Sequence, residues 1–432
     1  MKGAATIVAL ASGRPPAAIA VVRISGPLAW AAVGSLISAE MPEPRRLSLR
    51  RLVDPADGSL LDRAMVVVFP GPATATGEDL AELHLHGGSA VISGVLGALL
   101  SMDGIRLAEP GEFTRRAFVN NRLDLAQVEG VADLVAAETS AQRRQALALT
   151  GGALSRAADA WRSRCLDVLA DAEAALDFAE DEADVADRLQ VVARARLRGL
   201  VDEIDALVAD ASRGARIRDG LTIAVTGPPN VGKSSIVNAL SLRNAAIVSP
   251  FAGTTRDPIE VPVDLGGVAA TLIDTAGLRE TEDVVEAEGI RRARARASAA
   301  DLVMHVSDGT CSTSPDAGLV VVNKSDLGAL APAAAILVSA TRGDGMETLR
   351  SWLVEWAKST VRPGESVLLS HARHREAFVA AGAALAEAAD TDDAVLRAES
   401  LRHAASAFGQ IAGRVGVDDV LDRIFSRFCI GK

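Results

Sequence analysis

The stretch that decides the fold of one domain is a loop that reads Gly227-Pro228-Pro229-Asn230-Val231-Gly232-Lys233-Ser234. The apolar run at residues 221–225 predicts a buried strand before it, and the residues from Ser235 onward predict a helix. A loop of this pattern between a strand and a helix is typical of a phosphate-binding P-loop, because its N–H groups and the helix N-terminus attract phosphate oxygens. We expect Lys233 to reach the β- and γ-phosphates and Ser234 to ligate Mg²⁺.

Four shorter motifs after the P-loop predict the rest of a guanine nucleotide site. They are Ala252-Gly-Thr-Thr-Arg-Asp257, Asp274-Thr-Ala-Gly277, Asn323-Lys-Ser-Asp326 and Ser339-Ala-Thr341. Thr255 is expected to ligate Mg²⁺ and to sense the γ-phosphate, and Asp274 to hold Mg²⁺ through water. Asp326 can accept from both N1–H and the 2-amino group of guanine, whereas adenine offers neither donor. The expected nucleotide-binding residues are Asn230, Val231, Gly232, Lys233, Ser234, Ser235, Thr255, Asp274, Thr275, Ala276, Gly277, Asn323, Lys324, Asp326, Ser339, Ala340 and Thr341. Five motifs in this order predict a guanine-specific GTPase.

Two residues refine the class of GTPase. Leu278 follows the Asp-Thr-Ala-Gly motif, where Ras-type GTPases have a Gln that orients the attacking water, so the catalytic polar group must come from elsewhere. Asn230, together with Thr254 and Thr255, resembles the pattern of GTPases that bind K⁺ beside the phosphates and hydrolyse GTP when two G domains meet. The ion would supply charge that an arginine supplies elsewhere. The alternative is that Asn230 only caps the loop.

The composition restricts the class of partner. The 432 residues predict two to four domains of ~100–200 residues each, and the near absence of aromatic residues leaves Ala and Leu to fill the cores. The net charge of −11 argues against a protein that coats nucleic acid through its overall charge, so contact with RNA is expected to be local or to belong to a partner.

Cysteine usage and hydropathy indicate the compartment. Cys165, Cys311 and Cys429 are far apart and form no Cys-x-x-Cys pair, so neither a disulfide framework nor a zinc site is predicted. This suits a reducing cytoplasm. No window approaches ~18 uninterrupted apolar residues, so we expect a cytoplasmic protein without a membrane span.

Periodicity predicts a fold class of α/β plus all-α. Residues 1–119 are expected to form a mixed α/β domain with strands at 18–24, 63–69 and 80–85. Residues 120–216 predict two long helices, with Val192 among the core positions of the second. Residues 217–372 alternate strand and helix, which predicts a mostly parallel sheet, and helical periodicity returns at 373–432. The nucleotide domain is thus expected as an insert in a helical domain made of two segments.

One predicted strand carries ionisable side chains on a single face. Alternation from residue 80 to residue 85 places Glu82, His84 and His86 on one side and Leu83 and Leu85 on the other. The three side chains either form a site or belong to a solvated face of the sheet, and the pattern alone leaves both readings open.

Motifs along nearly the whole chain identify a family. They are Thr76-Gly-Glu-Asp79, His86-Gly-Gly88, Pro110-Gly-Glu-Phe-Thr114, Arg122-Leu-Asp-Leu-Ala-Gln127, Leu176-Asp-Phe178 and the terminal Phe428-Cys-Ile-Gly-Lys432. Together with the GTPase motifs, they resemble the family of tRNA wobble-uridine modification GTPases known as MnmE or TrmE. The terminal motif is the most specific, because other Ras-like GTPases lack it.

The resemblance implies several site residues. The N-terminal domain is expected to dimerise, to resemble folate-binding domains and to bind a 5,10-methylene- or 5-formyl-tetrahydrofolate through Arg23, Glu82, Arg122 and Lys432. The family usually has Lys at the position of Arg122, and Arg keeps the charge but changes the geometry of the contact. The implied K⁺ ligands are Asn230, Ser249, Phe251 and Thr254; Ser249 and Thr254 would also contact GTP. Glu286 is the implied catalytic acid. Cys429 is either a thiol at the modification site or a buried helical residue, and the second reading is favoured.

The resemblance also implies an activity and a partner. We expect a K⁺-dependent GTPase that, with an FAD-containing protein similar to MnmG, adds an aminomethyl-type group to carbon 5 of the wobble uridine of certain tRNAs. It would be a homodimer and would meet tRNA mainly through the complex. The alternative is a regulatory GTPase of ribosome assembly without modification chemistry, which would need an RNA-binding module with a basic face.

Overall fold

The computed structural model describes residues 5–178, 183–242, 260–274, 298–309, 318–329, 332, 334–362, 369–413, 424, 428 and 431. The chain forms two compact units, which are described separately. The first unit comprises Met1–Ala132 with Gly409–Lys432, and the second comprises Asp133–Phe408. The predicted boundaries at residues 119, 216 and 372 stay a prediction.

The first unit is built on a six-stranded sheet. Its strands are β1 (Thr6–Leu10), β2 (Ala17–Ser25), β3 (Ser48–Val53), β4 (Leu60–Phe69), β5 (Leu80–Gly87) and β6 (Ile105–Leu107). The order is β3-β4-β5-β2-β1-β6, with β6 parallel to β1 and the other neighbours antiparallel. The helices are α1 (Ala29–Leu36), α2 (Ser89–Leu100), α3 (Glu112–Val119) and α4 (Leu125–Ala136). The three predicted strands are confirmed as β2, β4 and β5.

The predicted alternation along β5 is also confirmed. Leu83 and Leu85 are buried in the core between the sheet and helices α1 and α2. Glu82 and His84 on the opposite face are half-buried, and His86 is exposed. The polar face of β5 is therefore available for a site, and its contacts are described below.

The second unit contains the nucleotide-type sheet. Its strands are β7 (Leu221–Thr226), β8 (Glu260–Asp264), β9 (Ala269–Asp274), β10 (Leu302–Ser307), β11 (Leu319–Val322) and β12 (Ile336–Leu337). The order is β12-β11-β10-β7-β9-β8, and every pairing is parallel except that of β8 with β9. Helices α9 (Lys233–Leu242) and α10 (Met346–Val361) belong to this domain. The expected mostly parallel sheet is confirmed, and β8 is an edge strand that the sequence did not predict.

The remaining helices range from 9 to 27 residues. They are α5 (Ser140–Thr150), α6 (Ala153–Phe178), α7 (Ala183–Ala209), α8 (Ala211–Asp219), α11 (Ala372–Asp390) and α12 (Ala394–Ile411). The pair α6 and α7 confirms the two predicted helices, and with the two sheets it confirms the fold class. None of the helices in the described ranges is both long enough and apolar enough to cross a membrane.

One predicted core position in α7 is wrong by one residue. Val192 is 47% exposed, whereas its neighbour Ala193 is 3% exposed. The buried stripe runs through Ala193, Leu197, Leu200 and Ile204, at alternating spacings of four and three residues. Helical geometry requires this spacing, so the small Ala rather than the larger Val faces the neighbouring helices.

A buried cation closes the end of α11. Arg397 of α12 is 1% exposed; its Nε donates to the Ala388 carbonyl at 3.2 Å and its Nη2 to the Thr391 carbonyl at 2.6 Å. The last carbonyls of a helix lack partners within the helix, so the guanidinium acts as a cap. Burial and the nearby Arg194 lower the pKa of Arg397, so this cap is held at an electrostatic cost.

We expect the Arg397→Met variant to lower the free energy of unfolding by roughly 1–3 kcal/mol, because two carbonyls lose their donors while the apolar stem is kept. Urea unfolding followed by circular dichroism measures the change. Arg402→Met is the matched control on the same helix. Arg402 is exposed, so its loss should cost roughly 0.5 kcal/mol or less. Equal stability of the Arg397→Met variant and the parent would show that the cap is dispensable.

Candidate functional site

The P-loop lies between β7 and α9, in the strand–loop–helix setting that the sequence predicted. Lys233 is 5% exposed, and its ammonium donates to the carbonyls of Gly227 at 2.8 Å and Pro228 at 2.6 Å. The cation is thereby held over the loop, where phosphate oxygens would compete with these carbonyls for it. Gly232 has a φ of +92°, and a side chain there would collide with the Asn323 amide. The loop residues therefore fit a bound phosphate chain.

Two oxygen groups that suit Mg²⁺ meet at the start of α9. The Ser234 hydroxyl donates to an Asp274 carboxylate oxygen at 2.6 Å, and Asp274 ends strand β9. Mg²⁺ prefers oxygen ligands and keeps several from water and from nucleotide phosphates. The described ranges hold no cluster of three or more His, Cys, Asp or Glu suited to a metal. The Ser234 hydroxyl and the Asp274 carboxylate are oxygen groups of the kind that suit an Mg²⁺ ion shared with a nucleotide.

Asn323 joins three parts of the nucleotide site. Its amide Nδ2 donates to the Val231 carbonyl of the P-loop at 2.9 Å, and its Oδ1 accepts from the Ala340 N–H at 3.1 Å. Ala340 belongs to the predicted Ser-Ala-Thr motif, in which the Ser339 and Thr341 hydroxyls lie 3.2 Å apart. The structure thus brings the first, fourth and fifth predicted motifs together.

The other residues of the Asn-Lys-Ser-Asp motif are held by local contacts. Lys324 has a φ of +63° and pairs with the Asp308 carboxylate at 3.2 Å. The Asp326 side chain is 15% exposed and lies 3.9 Å from the Arg342 guanidinium. Asp326 sits in the single helical turn Ser325–Leu327, directly after β11 and its Asn323 bridge. This position suits a carboxylate that reads the edge of a guanine base.

His305 lies beneath the P-loop and was not predicted from the sequence. It stands opposite Thr226 in the β10–β7 pairing, with its Nδ1 3.3 Å from the Thr226 hydroxyl. Burial, followed by the positive charge of Lys233, lowers the pKa of His305 and keeps the imidazole neutral. Only one feature of the sequence pointed to His305: it is a single histidine in an otherwise apolar strand, shortly before Asp308 and Gly309.

Ten predicted site residues lie outside the described part of the chain. They are Ser249, Phe251, Thr254, Thr255, Thr275, Ala276, Gly277, Glu286, Cys429 and Lys432. Their roles stay predictions. Asn230, Val231 and Ser235 are described with the P-loop, and Asn230 has a φ of +63°, a backbone conformation that Asn tolerates well.

A second site lies in the first unit, on the polar face of its sheet. Arg23 of β2 stands directly opposite Glu82 of β5, and its Nε and Nη2 both donate to Glu82 Oε1, at 3.0 and 2.8 Å. The other carboxylate oxygen lies 3.4 Å from the His84 ring. The Arg23 guanidinium also lies 5.8 Å from the centre of the Phe113 ring. His86 turns to the Asp62 carboxylate at 2.7 Å and takes no part in this group.

A cavity of about 290 Å³ opens beside this ion pair. Its lining is Arg23, Ala75, Thr76, Phe113, Thr114, Ala117, Leu123 and Val131. Arg122 borders the same loop, because its Nε donates to the Thr74 carbonyl at 3.2 Å. Gly431, the residue before Lys432, is buried against Leu10. Of the predicted folate contacts, Arg23 lines the cavity, Glu82 is bonded to Arg23, and Arg122 is bonded to the loop that carries Ala75 and Thr76.

The loop that lines this cavity is held by a network that the sequence did not reveal. Arg116 of α3 donates to Glu78 at 2.9 Å and to Glu112 at 3.0 Å, and Ser25 donates to Glu78 at 2.8 Å. Burial alone would raise the pKa of Glu112, but hydrogen bonds from Arg106, the Glu109 N–H and Arg116 lower it to about 2. Glu78 and Glu112 lie within quoted motifs, yet no local pattern predicts that one arginine joins them.

Comparison with solved structures gives a weak likeness. The G domain of FeoB from Methanococcus jannaschii is 26% identical, and the match covers 31% of this chain and 98% of that chain. Its TM-score is 0.23, so it carries no argument about this chain.

Comparison with families and curated proteins is decisive. The family model described as the MnmE helical domain matches residues 125–429, and that of the GTP-binding protein TrmE N-terminus matches residues 6–122. A protein of Azorhizobium caulinodans named tRNA modification GTPase MnmE is 51% identical over 432 residues, 99% of each chain. A protein of the same name from Methylorubrum populi is 51% identical over 437 residues, 99% of this chain and 98% of its own. The chain therefore belongs to the MnmE family of tRNA modification GTPases.

Proposed function

We propose that this GTPase, with an FAD-containing partner similar to MnmG, adds a carboxymethylaminomethyl or aminomethyl group to carbon 5 of the wobble uridine of certain tRNAs. The one-carbon unit would come from a tetrahydrofolate derivative. The observation that carries this proposal is the presence, in one chain, of a nucleotide site closed by Asn323 and of a cavity lined by Arg23, whose guanidinium pairs with Glu82. A regulatory GTPase would not require the second site.

The cavity residues suit the two ends of a folate. The pterin ring presents hydrogen-bond donors, and Glu82 accepts from Arg23 through only one of its carboxylate oxygens. The second oxygen lies 3.4 Å from the His84 ring and keeps a further lone pair that would accept from a pterin. Arg122 and Lys432 would supply cations for the anionic tail. Bound tetrahydrofolate would carry the one-carbon unit, while these residues hold and orient it between the subunits of a homodimer.

The nucleotide residues have separate tasks in the proposed hydrolysis. Lys233 would hold the β- and γ-phosphates, and Ser234 with Thr255 and Asp274 would position Mg²⁺, which neutralises developing charge. Asn230, Ser249, Phe251 and Thr254 would hold K⁺ beside the phosphates. Glu286 would position the attacking water, because Leu278 cannot do so. GTP hydrolysis would open and close paired G domains and so rearrange the complex.

The net charge bears on how tRNA is held. At −11, the chain has too few cations to bind tRNA by overall charge, so we place tRNA binding mainly in the complex with the FAD-containing partner. The same balance disfavours the ribosome-assembly alternative, which needs a basic face. We also place the protein in the cytoplasm, where tRNA and a reducing environment are found.

Hydrolysis should be several-fold faster in K⁺ than in Na⁺, and the Asn230→Gly variant should remove the difference. Gly keeps the left-handed backbone at residue 230 but lacks the oxygen proposed to hold K⁺. Phosphate release in the two salts measures the effect. Asn230→Asp is the control, because it keeps an oxygen and should keep a preference for K⁺. Equal rates in both salts for the parent would contradict the proposed ion.

Replacement of Glu286 by Ala should leave GTP binding nearly unchanged and slow hydrolysis on the order of 10²-fold or more, because a group that positions the nucleophile is lost. Single-turnover hydrolysis and nucleotide affinity measure the two effects. Glu282→Ala and Glu288→Ala serve as controls and should remain within a few-fold of the parent. A Glu286→Ala variant with a rate close to that of the parent would move the assignment to one of these neighbours.

The whole proposal is tested by nucleoside mass spectrometry of tRNA from cells that lack this protein and carry variants of it. Glu82→Gln should abolish the wobble modification and retain GTP hydrolysis, because the amide loses the charge facing Arg23 and presents a donor to the pterin. Glu43→Gln, an exposed control in the same unit, should restore modification fully. Full modification by Glu82→Gln would exclude this carboxylate from the folate site, and unmodified wobble uridine with the parent protein would exclude the function.

A further inference from the structure

The β8–β9 hairpin links the two segments proposed to sense the γ-phosphate. Strand β8 begins immediately after residues 243–259, which include Thr255, and β9 ends at Asp274. The strands pair at five positions, from Glu260 with Ile273 to Asp264 with Ala269. A paired ribbon of this length spans about 17 Å from the nucleotide end to its turn. The paired ribbon is rigid, so a shift of β9 at Asp274 can be transmitted along it to the turn.

The hairpin turn lies against the first turn of helix α5, which belongs to the helical part of the chain. The Ala141 N–H donates to the Gly267 carbonyl at 3.1 Å. Gly267 has a φ of +93°, and an added Cβ would lie 2.6 Å from the Ser140 hydroxyl oxygen. Its own N–H donates to the Asp264 carboxylate at 2.6 Å, which fixes the turn. The hydrogen bond from Ala141 and the lack of space for a side chain at Gly267 show that the turn packs directly on the start of α5.

The beginning of α5 is itself rigid. Thr139 and Gln142 form a capping box, in which each side chain bonds the backbone of the other. The Gln142 amide also donates to the Arg218 carbonyl at 3.0 Å, at the end of α8 where the chain enters the nucleotide domain. Ala141 is 4% exposed and is part of the core of the nucleotide domain. Helix α5 is therefore inserted between the hairpin turn and the chain segment that leads into β7.

The other end of α5 leads directly into the helical domain. After Gly151 and Gly152 the chain enters α6, the 26-residue helix that carries the buried Cys165. The Cys165 thiol lies 3.3 Å from the Leu401 carbonyl of α12. Burial raises the pKa of this thiol to about 11, which leaves it an inert packing group. A displacement of α5 would thus act on the helices of the second unit.

We propose that Gly267, Ser140 and Gln142 are positioning residues that transmit the nucleotide state from the β8–β9 hairpin to helix α5, and so couple GTP hydrolysis to tRNA modification. This inference rests on the proposed function, because it names the residues that would couple GTP hydrolysis to the proposed tRNA modification. Elements packed without gaps can turn a small shift at an effector site into a change of state elsewhere. The contacts at the turn form such a junction.

The turn contains its own matched control. Gly266 also has a positive φ, +67°, but an added Cβ there would meet Val354 of α10, 2.8 Å away, within the nucleotide domain. Alanine at Gly266 and alanine at Gly267 therefore strain the same turn, yet only the second intrudes on α5. A difference in activity between the two variants therefore reports on the contact with α5 and not on the stability of the hairpin.

The experiment uses the full chain with its FAD-containing partner, and measures GTP hydrolysis and wobble modification of tRNA on the same preparations. Gly267→Ala should keep hydrolysis within about 2-fold of the parent and lower modification by about 10-fold or more. Gly266→Ala should keep both activities near those of the parent. The double variant Gly267→Ala with Ser140→Ala removes the oxygen that the new Cβ meets, and it should recover most of the modification.

Three results would overturn the proposal. These are full modification by Gly267→Ala, equal losses of modification in the Gly266→Ala and Gly267→Ala variants, and a parallel loss of hydrolysis and modification in Gly267→Ala. If Gly267→Ala does not fold, Gln142→Ala tests the junction from the side of α5, and unchanged modification by that variant would also overturn it. Failure of the proposed function is distinct, because the parent itself would then show no modification.

Discussion

The nucleotide domain depends on one side chain, the amide of Asn323. It donates to the Val231 carbonyl and accepts from the Ala340 N–H, so it ties the loop after β7 to the loop after β12. Only an amide has a donor and an acceptor at this spacing; a carboxylate would face the Val231 carbonyl without a proton to share. The same bridge explains Gly232, since any side chain there would occupy the position of the Asn323 amide. The phosphate-binding and base-reading parts of the site thus share a single support.

Residues that act through local geometry were predictable from the sequence. The P-loop, the strands that precede it and the motifs at Asp274, Asn323 and Ser339, and the polar face of β5 follow from short patterns, and each lies where those patterns put it. The edge strand β8 was missed because Glu260, Pro262 and Asp264 interrupt its apolar character. Proline is tolerated there because an edge strand has one unpaired side. A strand of this kind carries little signal without its partner.

Partners that are distant in sequence were not predictable from local patterns, and only the family resemblance had placed Arg23 and Glu82 in one site. Arg23 and Glu82 are 59 residues apart and meet because β2 and β5 are neighbours in register, which no local pattern specifies. Arg116 reaches Glu78 across 38 residues and shapes the loop beside the cavity. The error at Val192 has a different origin: two adjacent apolar residues fit the helical period almost equally well, and packing against neighbouring helices selects Ala193.

The energetics of the Arg23–Glu82 pair favour a binding role over a structural one. Both side chains are partly exposed, at 27% and 19%, so water screens their attraction while desolvation opposes it. A pair of this exposure contributes roughly 0–1 kcal/mol, so it adds little to the stability of the sheet. The two charges are therefore better explained by their position beside the cavity than by a contribution to the stability of the sheet. Arg23 lines a cavity together with the ring of Phe113, and a cation beside an aromatic ring suits a polar heteroaromatic ligand.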